Sequence, residues 1–244
     1  MNSIGKQFME MTKYKNMTER QNKGAQPPLE AVTEADGAIT LPKPEEAPFS
    51  QANLLDIINA RRSLRGYSEA ALSAAEFSFL LWCCQGVKEA HPKHTLRTVP
   101  SAGARHAFET FILVNKVEGF QPGLYRYLAI KHAVLPVNLD DGVAELLTAG
   151  CLGQGMVATS AIAVFWTAEL ERMYYRYNER GYRYLHLDAG HACQNLMLAA
   201  EAIGCGACAI AAFDDDALNC ALGLDGVDKF TVYVAALGKK PELK

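Results

Sequence analysis

Residues 187 to 203 restrict the fold more than any other stretch, because they read as one long helix that is apolar nearly all the way round. Leu196, Ala199, Ala200 and Ile203 stand at i, i+3, i+4 and i+7, the spacing of a single helical face. Leu187, Ala189, Ala192, Met197 and Leu198 carry apolar surface onto the other faces. Such a helix has to be enclosed, either in the core of its own domain or against a second subunit. Gly204 is placed to cap its C-terminus.

The other elements are shorter. A helix is predicted from near Asn53 to Ala60, with Leu54, Leu55, Ile57 and Ile58 as its apolar face. A second begins at Ser73, which can cap it while Glu76 closes a capping box and Leu72 staples onto Phe77; it runs to Gln85 and ends at Gly86. Residues 145 to 159 read as a third helix. Strands are predicted at 109–114, 124–127, 133–137, 161–167 and 231–237, from their β-branched and aromatic content or continuous apolar character. Helices and strands are interspersed without a regular βαβ rhythm and without a repeat. This points to an α+β domain with a mixed or antiparallel sheet flanked by helices. Residues 1–48 contain Pro27, Pro28, Pro42, Pro44 and Pro48 and few large apolar residues, so they read as an extended N-terminal arm. The arm is either disordered or wraps a partner, and the domain proper is expected at 49–244.

Charge and cysteine usage exclude several classes of function. A net charge of −3 gives no general attraction to nucleic acid or to anionic membranes. There is no run of about 18 apolar residues and no apolar segment near the N-terminus, so neither a membrane span nor a secretory signal is expected. The seven cysteines are odd in number and mostly sit in apolar stretches, as in a protein of a reducing, cytoplasmic compartment. Cys205 and Cys208 form a Cys-x-x-Cys pair, but no second pair completes a metal site.

Three segments can carry chemistry. Arg61-Arg62-Ser63-Leu64-Arg65 puts three guanidiniums and a hydroxyl at a helix end, a donor set that suits phosphate oxygens. The same run would also serve as a solvated basic helix end. No Gly-x-Gly-x-x-Gly or Walker sequence is present, so a phosphate site here is of neither kind. The second segment, Arg97 to His106, contains Pro100-Ser101-Ala102-Gly103, whose small residues let backbone approach a flat ligand. The third, Gly204 to Asp214, offers backbone groups among small side chains.

In this order, these motifs resemble the nitroreductase family of FMN enzymes, over about residues 50 to 240. They are closest to the branch whose dehydrogenases oxidise azolines in peptide natural products. The segment Glu118-Gly119-Phe120-Gln121-Pro122-Gly123-Leu124-Tyr125-Arg126-Tyr127 adds a fourth point of likeness. The resemblance implies a homodimer with two FMN sites at its interface and the long helix in the dimer core. Arg61, Arg62, Ser63 and Arg65 would hold the FMN phosphate and ribityl chain. Pro100, Ser101, Ala102 and Gly103 would line the flavin from the neighbouring subunit, and Ile210, Ala211 and Ala212 would bring a backbone amide to flavin N5. Lys239 and Lys240 would complete the phosphate site. The implied reaction is hydride transfer from NADH or NADPH through the flavin to a small organic substrate.

The chain also departs from the family pattern. Arg105-His106-Ala107 stands where many members continue Leu-Tyr-Pro, and Tyr174-Tyr175-Arg176-Tyr177 carries Arg where the azoline oxidases have the Lys of a Lys-Tyr pair. Arginine stays protonated and makes a poor base, which weakens the case for azoline oxidation. His106, Arg105 and Tyr177 are candidates for proton supply or substrate orientation, His106 because its free pKa lies near neutrality. The alternatives are a flavin dehydrogenase that oxidises a peptide azoline or small heterocycle with oxygen as acceptor, and a flavin-binding protein without turnover.

Overall fold

The computed structural model describes residues 3–17, 24–32, 35–48 and 53–241. Among these, the elements in chain order are α1 (Ile4–Met11), β1 (Ile39–Thr40), α2 (Leu54–Ala60), α3 (Ala74–Gln85), β2 (Val87–His91), β3 (His94–Arg97), β4 (Phe108–Val114), β5 (Gly123–Leu128), β6 (Ala133–Asn138), α4 (Val143–Gly150), α5 (Met156–Thr159), β7 (Ile162–Glu169), α6 (Leu170–Tyr177), α7 (Arg180–Ala202), β8 (Cys205–Ile210), α8 (Asp215–Ala221) and β9 (Lys229–Lys239). A seven-stranded sheet runs β1-β6-β5-β4-β7-β9-β8, and every pairing in it is antiparallel. The fold is therefore α+β. Among the described residues, no helix is long and apolar enough to cross a membrane.

The sheet is covered on both faces, which explains why its central strands are continuous apolar runs rather than alternating ones. On β4, Phe108, Ile112 and Val114 join one core cluster while Phe111 and Leu113 join the other. The first cluster packs against α3 and α7 through residues such as Phe77, Leu81, Leu185, Leu196 and Ala200. The second packs against α4, α5 and α8 through Leu147, Val157 and Leu218. Strand β8 obeys the same alternation. Cys205 faces the first cluster and Cys208 the second, so the Cys-x-x-Cys pair lies on opposite faces of the sheet and cannot close a disulfide or share a metal.

Local chemistry sets most helix starts. Asn53 caps α2 by accepting from the Asp56 N–H at 3.0 Å. Ser73 and Glu76 form the expected capping box on α3, and Leu72 and Phe77 are both fully buried beneath it. Gly86 ends α3 for a different reason than a left-handed cap: its φ is −56°, and a β-carbon there would meet the Trp82 ring at 2.5 Å. Gly204 does adopt the left-handed conformation, at φ +71°.

Three regions differ from the sequence reading. The single helix expected at 145–159 is two helices, broken where Leu152 and Gly153 take positive φ. Residues 205–210, expected only as accessible backbone, form an edge strand; small residues hide its strand character because the chain packs tightly on both sides. The long helix begins at Arg180, earlier than its apolar pattern, because its first turns carry polar residues. Its one exposed stripe contains Leu187, Gly190, His191 and Gln194.

The boundary expected between 48 and 49 adjoins residues 49–52, which lie outside the described residues. Within the expected arm, residues 4–11 are helical and residues 39–40 pair with β6 at the sheet edge. Other arm segments pack on the same chain: the Pro28 carbonyl accepts from Arg172 Nε at 2.9 Å, and the Pro42 carbonyl accepts from the Ser78 hydroxyl at 2.5 Å.

Candidate functional site

The arginine run leaves the end of α2 and lies along β8. Arg61 caps α2 with its N–H on the Ile57 carbonyl at 3.0 Å. Ser63 then bridges Ala207 in parallel fashion, and the Leu64 N–H donates to the Ala207 carbonyl at 3.0 Å. This approach needs a glycine opposite, since a β-carbon on Gly206 would meet the Leu64 side chain at 2.5 Å. The Tyr67 hydroxyl lies 2.8 Å from the Leu64 carbonyl and 2.9 Å from the Ala236 carbonyl, pinning the run at its far end. Burial pushes the Tyr67 phenol well above its ordinary pKa, so it remains a donor.

The charges of the run are free. Ser63, Arg62 and Arg65 are exposed and Arg61 is half-buried. Among the described residues, none of the three guanidiniums has a hydrogen-bond acceptor or a carboxylate partner. The two C-terminal lysines lie close by, because Cys205 stands opposite Lys239 in the ladder and the Ser68 N–H donates to the Lys239 carbonyl at 3.0 Å. Their ammonium groups are engaged, Lys239 with Glu76 and Lys240 with Glu201, both largely buried carboxylates. The end of β9 is thus a fixed ion-pair cluster rather than a frayed tail.

The loop at Pro100–Gly103 is held by a residue that the sequence reading did not single out. Asp188 on α7 is buried; its carboxylate accepts from the Ser101 hydroxyl at 2.5 Å and from the Ala102 N–H at 3.2 Å. Burial raises the Asp188 pKa, and these two bonds oppose the rise. The Ser101 oxygen in turn accepts from the His106 N–H at 2.9 Å. A carboxylate set within an otherwise apolar helix was the signal for this anchor, because a buried carboxylate needs partners. Gly103 takes φ +57°, and a β-carbon there would meet the Tyr177 hydroxyl at 2.3 Å. Tyr177, the last residue of α6, therefore sits directly on the loop. Ile210 is buried at the end of β8, and Ala211 and Ala212 follow it, exposed, with the Ala212 carbonyl accepting from Gln154 Nε2 at 2.7 Å.

His106 is the most enclosed of the three candidates for proton supply or substrate orientation. It is only 6% exposed, it adopts φ +43°, and its imidazole pKa is lowered to about 3, first by burial and then by the Arg97 guanidinium. A pKa so lowered favours the neutral ring, which keeps one N–H donor, at physiological pH. The linkage has a definite sign. A folded pKa below the unfolded value means that the unfolded chain binds more protons between about pH 3 and pH 6.5, so stability is full above that window and falls on acidification. His106→Asn, a residue that tolerates positive φ, is expected to flatten the acid limb by up to about 1.4 kcal/mol per pH unit. Urea unfolding from pH 4 to 7 checks this, and parallel slopes for variant and wild type would show that the ring is solvated. Arg105 is half-buried; burial, then the neighbouring Arg176 guanidinium, lowers its pKa, yet an arginine so placed stays charged.

Among the described residues, an apolar cleft of about 490 Å³ lies between α2, α3 and α7 and is lined by Leu54, Ile57, Trp82, Thr98, Asn195 and Leu198 among others. None of the candidate cofactor residues lines it. It separates the arginine run, which follows α2, from the loop, which begins just after Thr98.

Comparison with known proteins supplies the remaining context. Residues 58–239 match the model of the nitroreductase family. A nitroreductase-family protein of Methanocaldococcus jannaschii is 32% identical over 204 residues, covering 84% of this chain and 97% of that protein. The trifolitoxin-processing protein TfxB of Rhizobium leguminosarum bv. trifolii is 30% identical over 116 residues, 46% of this chain and 31% of that one, a distant homology. Among solved structures, a nitroreductase-family protein from Anabaena variabilis is 32% identical with a TM-score of 0.66, over 77% of this chain and 38% of that chain.

Proposed function

The chain belongs to the nitroreductase family, and from that premise we propose that it is an FMN-dependent oxidoreductase that carries hydride from NADH or NADPH to a small organic acceptor. One observation carries the reading: Arg61, Arg62 and Arg65, held against β8 by the Ser63–Ala207 bridge, are three guanidiniums without partners among the described residues. That donor set fits a phosphate ester, since each fork offers paired N–H donors and none is already spent.

In this reading Arg61, Arg62, Ser63 and Arg65 hold the phosphate and ribityl chain, and Lys239 and Lys240, each paired with a glutamate, border the site. Ile210, Ala211 and Ala212 present backbone to the flavin edge where the strand ends. Bound FMN would supply the hydride chemistry, accepting at N5 and passing the electrons on. Pro100, Ser101, Ala102 and Gly103 line the flavin from a second subunit, kept rigid by Asp188. The exposed apolar side chains Leu54, Leu55 and Ile58 on α2 and Leu187 on α7 support such a homodimer, because a monomer would leave them in water. No side chain acts as nucleophile. The Tyr177 hydroxyl, packed against Gly103, is the candidate for proton supply at the loop.

The decisive experiment is an absorption spectrum of the purified protein, followed by anaerobic addition of NADH and then NADPH. Oxidised-flavin bands that bleach are the expected result, and the faster nicotinamide names the donor. Bands that stay unbleached would favour oxidation of an azoline or heterocycle, or a binding protein without turnover. A colourless protein that does not take up added FMN would refute the proposal.

A further inference from the structure

Arg105 and Arg176 come from different elements, the loop after β3 and the last turn of α6, and converge on one carbonyl. Arg105 Nε donates to the Gly103 oxygen at 3.2 Å, and Arg176 Nη1 donates to the same oxygen at 3.4 Å. Two like charges held this close repel each other unless an anion lies between them. Among the described residues, neither guanidinium has a carboxylate partner. Among the described residues, the pair's one other bond to an oxygen runs from Arg105 to the Lys93 carbonyl, at 3.4 Å.

The contrast with the neighbouring arginine is informative. Arg172, nearby and buried, is paired with Glu109 at 2.6 Å. Glu109 thus supplies a counter-charge to Arg172, whereas among the described residues no carboxylate pairs with Arg105 or Arg176. A guanidinium has five N–H donors, so one shared carbonyl leaves most of this pair's donors unspent. Arg176 is exposed and Arg105 half-exposed, so a solute can reach them. The Tyr177 ring beneath Arg176, 5.6 Å from its guanidinium carbon, limits where that side chain can go.

We propose that Arg105 and Arg176 form an anion-binding subsite that recognises a carboxylate or phosphate on the small molecule exchanging electrons at the Pro100–Gly103 loop. The position of the subsite relative to the reaction rests on the function proposed above; its binding of an oxyanion does not. The group bound is either the 2′-phosphate that distinguishes NADPH from NADH or an acidic group on the acceptor.

Two paired comparisons separate these sources. Calorimetric titration of the purified protein with 4-nitrobenzoate and with 4-nitrobenzamide reads the acceptor arm, and kcat/KM for NADPH against NADH reads the donor arm. In at least one arm the charged member should be preferred by about tenfold or more, the scale of one well-placed charge-assisted contact. That ratio should fall toward one in both Arg105→Gln and Arg176→Gln. Arg176 is exposed, so its variant folds even if Arg105→Gln loosens the loop, and thermal melts establish this. No preference in either arm overturns the proposal, as does a preference that survives both substitutions, which would leave the arginines as staples for Gly103. A protein without flavin would defeat the proposed function, yet the calorimetric ratio would still decide this subsite.

Discussion

Replacing Arg62 and Arg65 together by alanine is expected to release FMN while leaving the protein folded. Both side chains are exposed and make no bond among the described residues, so their removal takes little from the folded chain. A hydrogen bond to a charged group contributes about 1.5–3 kcal/mol, and two are removed, so affinity should fall about a hundredfold or more. The loss should be confined to the phosphate. Titration with FMN and with riboflavin, followed by flavin fluorescence, should show that the wild type prefers FMN strongly and that the double variant scarcely distinguishes the two. Arg→Lys at both positions should restore only part of the preference, because an ammonium supplies charge without the planar fork. If the variant keeps its affinity for FMN, the phosphate lies elsewhere and the run is a solvated helix end.

The second large effect concerns stability. Glu109 and Arg172 form an ion pair at 2.6 Å with both side chains almost fully enclosed. The same carboxylate accepts from the Ala31 N–H at 3.0 Å, and one nitrogen of Arg172 is already buried without a partner. Among the described residues, Glu109→Ala would leave that guanidinium with only the Pro28 carbonyl, at an expected cost of about 3–5 kcal/mol. Glu109→Leu combined with Arg172→Met should cost far less, because the unpaired charge is then gone as well, and the non-additivity measures the coupling. Urea unfolding gives the free energies. Limited proteolysis adds a spatial check, since residues 24–32 are tied to the domain partly through these two side chains and should be cut faster in the single variant. A cost below about 1 kcal/mol for Glu109→Ala would mean that water reaches the pair.

The role of these residues was not legible in the chain. Nothing in the pattern around Glu109, which opens a strongly apolar strand, says that its carboxylate meets an arginine from α6 and a backbone amide from the N-terminal segment. That pairing joins residues far apart in sequence, and only chain topology can create it. Asp188 carried a signal, as a carboxylate in an otherwise apolar helix, but its pairing with Ser101 was hidden for the same reason. Together they fix the loop that the proposed site uses.

What the sequence determined by itself was whatever depends on neighbours a few residues away. The capping box at Ser73 and Glu76, the cap at Asn53, the left-handed turn at Gly204 and the apolar periodicity of the long helix are local consequences of spacing, and the structure contains them. The order of the motifs was enough to place the chain in its family. Tertiary structure decided the rest. It made residues 205–210 an edge strand, because the Ser63–Ala207 bridge and β9 hold small residues extended that have little strand propensity alone. It split the Cys-x-x-Cys pair across two faces of the sheet. It turned His106 from a side chain that titrates near neutrality into an enclosed neutral ring, because burial beside Arg97 makes a second positive charge too costly. Burial and long-range electrostatics depend on which distant segments meet, and no short stretch of sequence contains that information.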